Sequence, residues 1–301
     1  MKKVFITGAN GLLGQKLVSV FSSENKILAS DLQPEFFPPE PKAKEGVFEY
    51  RKIDIIDKRN LKNVISYFNP EVIVNSAAYT DVDGCETEKD KAWMVNVEGV
   101  KNLVDLCKKK KIKLVHLSTD YLFDGRNGPY SEDEPPNPLG YYGLTKLESE
   151  KIIKKNLDDY IIVRTNVLYG NGVRINNFVL WVIEKLKKGE NIKIITDEFN
   201  NPTLADNLAE AISELVKKDF KGIINVAGSE YFSRYDFAQR IALTFNLDKE
   251  KITPITAKEL KRKAPRPSKG GLKIDFAKKI LSTRILGVDE GLEYMKSNLK
   301  L

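Results

Sequence analysis

The sequence predicts an α/β protein built on a doubly wound parallel sheet, with a smaller α/β lobe attached. Apolar, strand-like runs alternate with helix-patterned segments from residue 3 to about residue 166, and such alternation is typical of a parallel sheet covered by helices. A glycine-rich turn separates the first strand from the first helix. Beyond Tyr169 and Gly170 the segments become shorter, which indicates the second lobe.

Each predicted element follows from its own pattern of apolar residues. Strands are predicted at 3–7, 26–30, 47–53, 71–75, 112–118 and 160–165. Helices are predicted at 11–23, 57–68, 88–110, 139–156, 174–188, 204–218 and 233–245. The proline-rich stretch 34–41 predicts an irregular excursion. The predicted sheet domain comprises residues 1–168 plus about 200–227, and the predicted lobe comprises about 169–199 plus 228–301.

The turn after the first strand has the features of a dinucleotide site. Gly8 permits a tight turn, Gly11 permits the close approach of a pyrophosphate, and Gly14 permits close packing of helix on strand. The free N–H groups at the start of the following helix attract phosphates. The residues predicted to bind the cofactor here are Gly8, Asn10, Gly11, Leu12, Leu13 and Gly14. Asp31 ends the second strand, where a carboxylate binds ribose hydroxyls and repels a 2′-phosphate, so it favours NADH over NADPH.

A tyrosine–lysine pair supplies the candidate chemistry. Tyr142 is the only tyrosine with a lysine, Lys146, four residues later, and such positions share one helix face. A nearby ammonium favours the phenolate, so we expect Lys146 to lower the pKa of Tyr142 from about 10. A tyrosine of this kind donates or accepts protons. Ser118 and Thr119 end a preceding strand and are predicted to hold a substrate oxygen beside it.

Composition excludes several other classes of protein. The 301 residues include 42% hydrophobic and 30% charged side chains, which are ordinary values for a soluble globular protein. The net charge is +7. No apolar run has the length of a membrane span and no signal peptide is evident, so a cytoplasmic location is expected. Cys85 and Cys107 have no metal-ligand spacing and His116 is the only histidine, so no metal site is predicted. The positive charge is spread through helices and does not predict nucleic-acid binding.

Several motifs together resemble one family within the extended short-chain dehydrogenase/reductases, whose fold is Rossmann-like. The first is the G-x-x-G-x-x-G turn, and the second is the pairing of strand-end hydroxyls with Tyr-x-x-x-Lys. Further matching segments are 75–83, 96–99, 118–125, 164–165 and Arg266-Pro267. This set is similar to the dTDP-4-dehydrorhamnose reductase family.

The resemblance implies NAD(P)H-dependent reduction of the C4 ketone of a dTDP-6-deoxy-4-keto-hexose to dTDP-L-rhamnose. It implies that Tyr142 protonates the C4 oxygen, that Thr119 hydrogen-bonds this oxygen, and that Lys146 also holds the nicotinamide ribose. The further cofactor contacts it implies are Asp54, Ile55, Ala77, Ala78, Tyr79, Asn96, Ser118, Tyr142 and Lys146. The substrate contacts it implies are Val82, Ser118, Thr119, Asp120, Tyr121, Phe123, Tyr142, Asn166 and Arg266, with the Arg266 guanidinium on the diphosphate. It also suggests a homodimer.

Other interpretations remain open at this point. A nucleotide-sugar epimerase would recycle its cofactor instead of consuming it. A non-enzymatic, NADP-binding regulatory subunit, resembling the beta subunit of methionine adenosyltransferase, would share the fold and many motifs. A 4,6-dehydratase is disfavoured, because Tyr121 stands where those enzymes carry a glutamate. For single residues, Asn96 could simply tie strand ends together, Phe123 could belong to the core, and Arg266 could lie in a solvated loop.

Overall fold

A computed structural model describes residues 1–38 and 47–299 of the chain. Within that range the strands are β1 (Lys3–Thr7), β2 (Lys26–Asp31), β3 (Phe48–Lys52), β4 (Val72–Asn75), β5 (Lys113–Thr119), β6 (Tyr160–Thr165), β7 (Leu168–Tyr169), β8 (Ile192–Ile195), β9 (Phe199–Asn200), β10 (Thr203–Leu204), β11 (Gly222–Asn225), β12 (Phe232–Ser233) and β13 (Ile252–Ile255). The α-helices are α1 (Leu12–Ser22), α2 (Lys58–Phe68), α3 (Val82–Thr87), α4 (Lys89–Trp93), α5 (Gly99–Lys110), α6 (Tyr141–Asn156), α7 (Phe178–Lys187), α8 (Ala205–Lys217), α9 (Arg234–Thr244), α10 (Asp275–Ile280) and α11 (Val288–Ser297).

The main sheet has seven parallel strands in the order β11-β6-β5-β4-β1-β2-β3. The chain builds outward from β1 to β3, then crosses over to β4 and builds outward on the other side. The strand order therefore reverses between β1 and β4, and the crevice beyond their carboxyl ends is where ligands bind in sheets of this kind. The predicted doubly wound α/β fold is confirmed.

Two apolar clusters cover the two faces of this sheet. In the first cluster, Leu17 and Phe21 of α1 and Leu208 of α8 pack against one face. In the second cluster, Leu103 of α5 and Ile153 of α6 belong to the helices that cover the other face. The central strands are buried on both sides, which explains why they are almost continuously apolar.

A third cluster forms the core of the smaller lobe, from α7, α9, α11 and the paired strands β8 and β13. The boundary of the smaller lobe differs from the predicted boundary in one segment. Leu272 and Ala277, which fall in the segment predicted for the lobe, are buried in the first cluster beside the main sheet. This segment therefore returns to the sheet domain, as α8 and β11 do.

The sequence patterns and the observed elements differ mainly in detail. The predicted helix at 88–110 consists of α4, a π-helical turn at Met94–Glu98 and α5. The short strands of the lobe and the helices α3, α10 and α11 were not predicted. Part of the predicted excursion at 34–41 lies outside the described residues. Among the described residues, no helix combines the length and the apolar character needed to cross a bilayer.

Candidate active site

A cavity of about 670 Å³ opens at the carboxyl ends of β1, β4 and β5. Most of the residues predicted for the cofactor and the substrate line it. These are Gly8, Gly11, Leu12, Leu13, Gly14, Asp31, Asp54, Ile55, Ala77, Ala78, Val82, Ser118, Thr119, Asp120, Tyr121, Tyr142, Lys146 and Asn166. The fold thus gathers side chains from more than 150 residues of sequence into one site.

The glycine turn between β1 and α1 forms one end of the cavity. Gly8 has φ +67°, and a Cβ atom there would lie 2.6 Å from the backbone nitrogen of Ala77. A Cβ on Gly14 would lie only 2.0 Å from the carbonyl oxygen of Gly8. Gly11 is the N-cap residue of α1 and provides no side-chain cap, so the first N–H groups of the helix stay free at the cavity wall. This cradle fits the pyrophosphate of a dinucleotide.

Asp31 stands at the same end of the cavity, where β2 ends. One of its carboxylate oxygens accepts a hydrogen bond from the backbone N–H of Asn10 (3.0 Å), and the other accepts from the N–H of Leu32 (2.7 Å). The carboxylate is therefore held at the cavity wall, and each oxygen retains a lone pair for a further donor.

The candidate catalytic group is at the centre of the cavity wall. Burial raises the pKa of Tyr142 above its ordinary value, and a hydrogen bond with Thr119 acts in the opposite direction. Burial also lowers the pKa of Lys146 to about 8. The expected lowering of the Tyr142 pKa by Lys146 is therefore not observed, because desolvation of the phenolate outweighs the other influences. Tyr142 is a neutral phenol at pH 7, which is the form that donates a proton.

Lys146 makes its shortest side-chain contact with a residue that the sequence did not assign to the site. Its Nζ atom lies 3.1 Å from Nε2 of His116, a fully buried residue in the middle of β5. The positions i and i+4 do place Lys146 and Tyr142 on the same cavity wall, as predicted.

Asn96 and Tyr79 do not line the cavity and instead connect the elements around it. The side chain of Asn96 accepts a hydrogen bond from the N–H of Tyr79 (2.8 Å) and donates one to the hydroxyl of Thr145 (3.1 Å). Asn96 lies in the π-helical turn, a feature often found near functional sites. The hydroxyl of Tyr79 donates to Glu88. Asn96 therefore ties the loop after β4 to α6, one residue before Lys146.

Asn10 and Phe123 also lie behind the wall. The side chain of Asn10 accepts a hydrogen bond from the N–H of Phe37 (2.9 Å), so it stabilises the loop after β2. The ring of Phe123 is fully buried and stacks on Tyr130, with 4.2 Å between ring centroids. Phe123 belongs to the core, and a contact with the sugar is not expected of a side chain without access to the cavity.

Arg266 does not line the cavity and is paired with Asp83 instead. Its two terminal nitrogens lie 3.0 and 3.1 Å from the two carboxylate oxygens of Asp83. This hydrogen-bonded pair lowers the pKa of Asp83 to about 2. The charge of Arg266 is already neutralised, so the predicted contact with a diphosphate would require this pair to open.

Four buried polar atoms on the cavity wall have no hydrogen-bond partner among the described residues. They are Oγ of Ser118, Oγ1 of Thr165, Oδ1 of Asn166 and Nη1 of Arg234. Buried polar atoms are nearly always satisfied in proteins, so we expect a polar ligand to complete the hydrogen bonds of these four atoms. Ser118 and Asn166 were predicted, whereas Thr165 and Arg234 were missed.

Arg234 is the first residue of α9, and its guanidinium group lies 4.4 Å from the ring centroid of Phe178. The neighbouring carboxylate, Glu198, forms an ion pair with Arg262. Arg266 is paired with Asp83, as described above. Arg234 therefore lines the cavity and, among the described residues, is the arginine of this group without an ion pair to a carboxylate.

Asp120 follows β5 and connects two other segments of the chain that meet at the cavity. Its Oδ2 atom accepts hydrogen bonds from the side-chain amide of Asn166 (3.0 Å) and from the N–H of Gly271 (3.1 Å). Burial raises the pKa of Asp120. The sequence predicted Asp120 for the substrate site, and the structure shows that it also anchors the loop that carries Gly271.

A family model described as the RmlD substrate binding domain matches residues 1–300. The chain belongs to this family. It is 32% identical over 270 residues to the spore coat polysaccharide biosynthesis protein SpsK of Bacillus subtilis, covering 89% of this chain and 88% of that protein. It is 31% identical over 247 residues to dTDP-4-dehydrorhamnose reductase of Aggregatibacter actinomycetemcomitans, covering 79% and 77%. It is also 31% identical over 262 residues to methionine adenosyltransferase 2 subunit beta of Bos taurus, covering 85% and 75%.

Solved structures are similar to this RmlD-family chain over nearly its full length. A dTDP-4-dehydrorhamnose reductase from Bacillus anthracis, in complex with NADP, has a TM-score of 0.86 at 29% identity, covering 99% of this chain and 100% of that one. A hypothetical dTDP-4-dehydrorhamnose reductase from Sulfolobus tokodaii has a TM-score of 0.82 at 35% identity, covering 96% and 98%. These likenesses confirm the predicted family.

Proposed function

We propose that this RmlD-family chain catalyses the NAD(P)H-dependent reduction of the C4 ketone of a dTDP-6-deoxy-4-keto-hexose to dTDP-L-rhamnose. The observation that carries the proposal is the placement of Tyr142, a neutral phenol, beside Thr119 and Lys146 on the wall of one cavity. Relatives in sequence and in structure that bear the name dTDP-4-dehydrorhamnose reductase support the same reaction.

Each residue of the site has its own role in the proposed reaction. A bound nicotinamide dinucleotide supplies the hydride that reduces the ketone carbon. Tyr142 donates its phenolic proton to the ketone oxygen, and the hydroxyls of Ser118 and Thr119 hold that oxygen in place. The ammonium of Lys146 stabilises the phenolate that Tyr142 becomes. Ser118, Thr119 and Lys146 are buried in the cavity wall, and the low local dielectric strengthens their polar interactions.

Arg234 is assigned to the anionic part of the substrate. A buried guanidinium group without a carboxylate partner carries a large desolvation penalty, and a diphosphate offers it charge-assisted hydrogen bonds. The phosphate-binding glycine turn belongs to the main sheet and would hold the cofactor. Arg234 therefore serves the second phosphate-bearing ligand, the nucleotide sugar.

The reaction is tested by mixing the protein with NADH or NADPH, enzymatically prepared dTDP-4-keto-6-deoxyhexose and a 3,5-epimerase. Absorbance at the nicotinamide band measures cofactor consumption. We expect stoichiometric oxidation, with dTDP-rhamnose as the product. Cofactor binding without any oxidation would contradict the proposal and would favour another keto sugar or a partner-binding role. Turnover of the sugar without net cofactor consumption would identify an epimerase.

Asp31→Ala is expected to relax the preference for NADH over NADPH. The carboxylate at the cavity wall repels a 2′-phosphate and accepts hydrogen bonds from ribose hydroxyls, and the alanine variant does neither. The measurement is the ratio of the dissociation constants of the two cofactors. An unchanged ratio would show that Asp31 does not contact the ribose. A preference of the wild-type protein for NADPH would contradict the predicted selectivity.

The kcat/KM for the cofactor is expected to fall as the pH rises through about 8, the value to which burial lowers the pKa of Lys146. The ammonium is present below this pKa and is lost above it, so its contribution to the site disappears on the alkaline side. Tyr142, whose pKa is raised, stays protonated through the same range. A profile that is flat to pH 10 would show that the charge of Lys146 is not needed.

The assembly state and the cellular location stay predictions. A homodimer and a cytoplasmic location were expected from the sequence, and sedimentation and cell fractionation would test them. Within residues 1–38 and 47–299, no three His, Cys, Asp or Glu side chains gather into a group that could hold a metal ion.

A further inference from the structure

Three buried polar side chains form a row across the centre of the main sheet. Thr7 of β1 is paired with Asn75 of β4, and Asn75 is paired with His116 of β5. Oγ1 of Thr7 lies 2.6 Å from the side-chain amide of Asn75, which lies 3.1 Å from Nδ1 of His116. All three residues are at most 1% exposed. The row fixes one edge of the imidazole ring, so the ring cannot turn without breaking the row.

The opposite edge of the ring faces α6. Nε2 of His116 lies 3.1 Å from Nζ of Lys146 and 3.1 Å from Oγ of Ser149. The Ser149 hydroxyl donates its hydrogen to the backbone carbonyl of Lys146 at 2.7 Å. That hydrogen is therefore used elsewhere, and the donor that remains to face Nε2 is the ammonium of Lys146.

We propose that His116 is a positioning residue whose unprotonated Nε2 accepts a hydrogen bond from the Lys146 ammonium and holds it at the cavity wall. An ammonium group has three N–H donors. One of them is used by His116, and two remain for a ligand in the cavity. The proposal rests on the proposed function only in assigning Lys146 to the cofactor site, and the hydrogen bond itself is a property of the free protein.

The contact with Lys146 selects the tautomer of the ring. If Nε2 carried the proton, two donors would face each other at 3.1 Å. Nε2 is therefore the acceptor, and Nδ1 carries the proton of the neutral ring. The structure places Oδ1 of Asn75 toward Thr7 and Nδ2 toward Nδ1 of His116, so this tautomer requires the Asn75 amide to be turned by 180°. The two orientations of an amide have nearly the same shape. In the turned orientation Nδ1–H donates to the amide oxygen of Asn75, and the NH₂ group donates to Oγ1 of Thr7.

The surroundings keep His116 neutral, as the acceptor role requires. Burial and then the charge of Lys146 lower the pKa of His116 well below its ordinary value. The carboxylate that favours the ammonium form of Lys146 is Glu150, on the same helix. Both oxygens of Glu150 are already bound by the guanidinium group of Arg164, at 3.0 and 2.8 Å. An apolar side chain in place of His116 would therefore leave the ammonium without a hydrogen-bond acceptor on β5.

Nuclear magnetic resonance tests the tautomer directly, because His116 is the only histidine in the chain. Long-range ¹H–¹⁵N spectra of the ¹⁵N-histidine-labelled full-length protein give one pair of ring nitrogens. We expect a neutral ring with Nδ1 protonated and Nε2 unprotonated at pH 7. A ring protonated at Nε2, or at both nitrogens, would overturn the proposal. This result does not depend on any enzymatic activity, so it stands apart from the test of the reaction.

Variants test the consequence for Lys146. His116→Phe removes the acceptor, so the alkaline loss of NADH affinity should move to lower pH by about one unit, the scale of one hydrogen bond to a charged group. His116→Gln offers an amide oxygen near the position of Nε2 and should return the pH dependence most of the way to that of the wild type.

Leu114→Ala, on the same face of β5, is the control for lost packing and should lower only the Tm. An identical pH dependence in the wild type and in His116→Phe would show a merely structural role. If His116→Phe does not fold, the pH dependence of His116→Gln and the tautomer measured in the wild type decide whether the proposal holds.

Discussion

Tyr142→Phe is expected to lower kcat by two or more orders of magnitude and to leave the dissociation constant of the cofactor unchanged. The variant removes a single oxygen from a ring that stays in the same place. The lost atom is the hydroxyl proposed as the general acid, and the contribution of such a group is about 10²–10⁴-fold. The neutral state of Tyr142, which follows from its raised pKa, makes this acid available at all physiological pH values.

The control for this variant is Tyr141→Phe. Tyr141 is the preceding residue of α6, its backbone N–H donates to Glu86 (2.6 Å), and its hydroxyl is not part of the cavity wall. The control removes the same atom from a neighbouring tyrosine and should retain wild-type turnover. Single-turnover measurements with NADH separate the chemical step from product release. Full activity in Tyr142→Phe would contradict the mechanism.

The sequence predicted those parts of the site that depend on local geometry. Gly8 and Gly14 could be assigned because a turn between a strand and a helix has the same steric needs in every sheet of this kind. Tyr142 and Lys146 could be placed on one wall because the helical period fixes their relation. The carboxyl ends of neighbouring parallel strands meet at one edge of the sheet, so Ser118 was also placed correctly.

The properties that the sequence did not reveal depend on distant contacts. The pKa of Tyr142 depends on how much water the whole fold excludes from its hydroxyl. The spacing of Tyr142 and Lys146 along one helix does not reveal this. The engagement of Arg266 depends on Asp83, which is 183 positions away in the chain. The sequence shows several arginines near the lobe but not which of them is neutralised. For the same reason the return of Leu272 to the first cluster was missed.

Arg234→Gln is expected to raise the KM for the nucleotide sugar by about 10- to 100-fold, because hydrogen bonds to a charged group contribute about 1.5–3 kcal/mol. The kcat should change little, since the diphosphate is bound equally in the ground state and in the transition state. Cofactor affinity should not change, because Arg234 belongs to α9 of the smaller lobe and the glycine turn belongs to the main sheet. Initial rates at varied sugar concentration, together with a cofactor titration, measure all three quantities.

Two further arginine variants make this experiment decisive. Arg240→Gln, on the same helix, removes an exposed ion pair with Asp289 (3.0 Å) and should leave the KM unchanged, because exposed pairs contribute little. Arg266→Gln breaks the pair with Asp83. It should lower the Tm and raise the KM only slightly. If Arg266→Gln raises the KM and Arg234→Gln does not, the original assignment of the diphosphate to Arg266 holds and the pair with Asp83 opens when substrate binds. If both variants raise it equally, the two guanidinium groups share the anion.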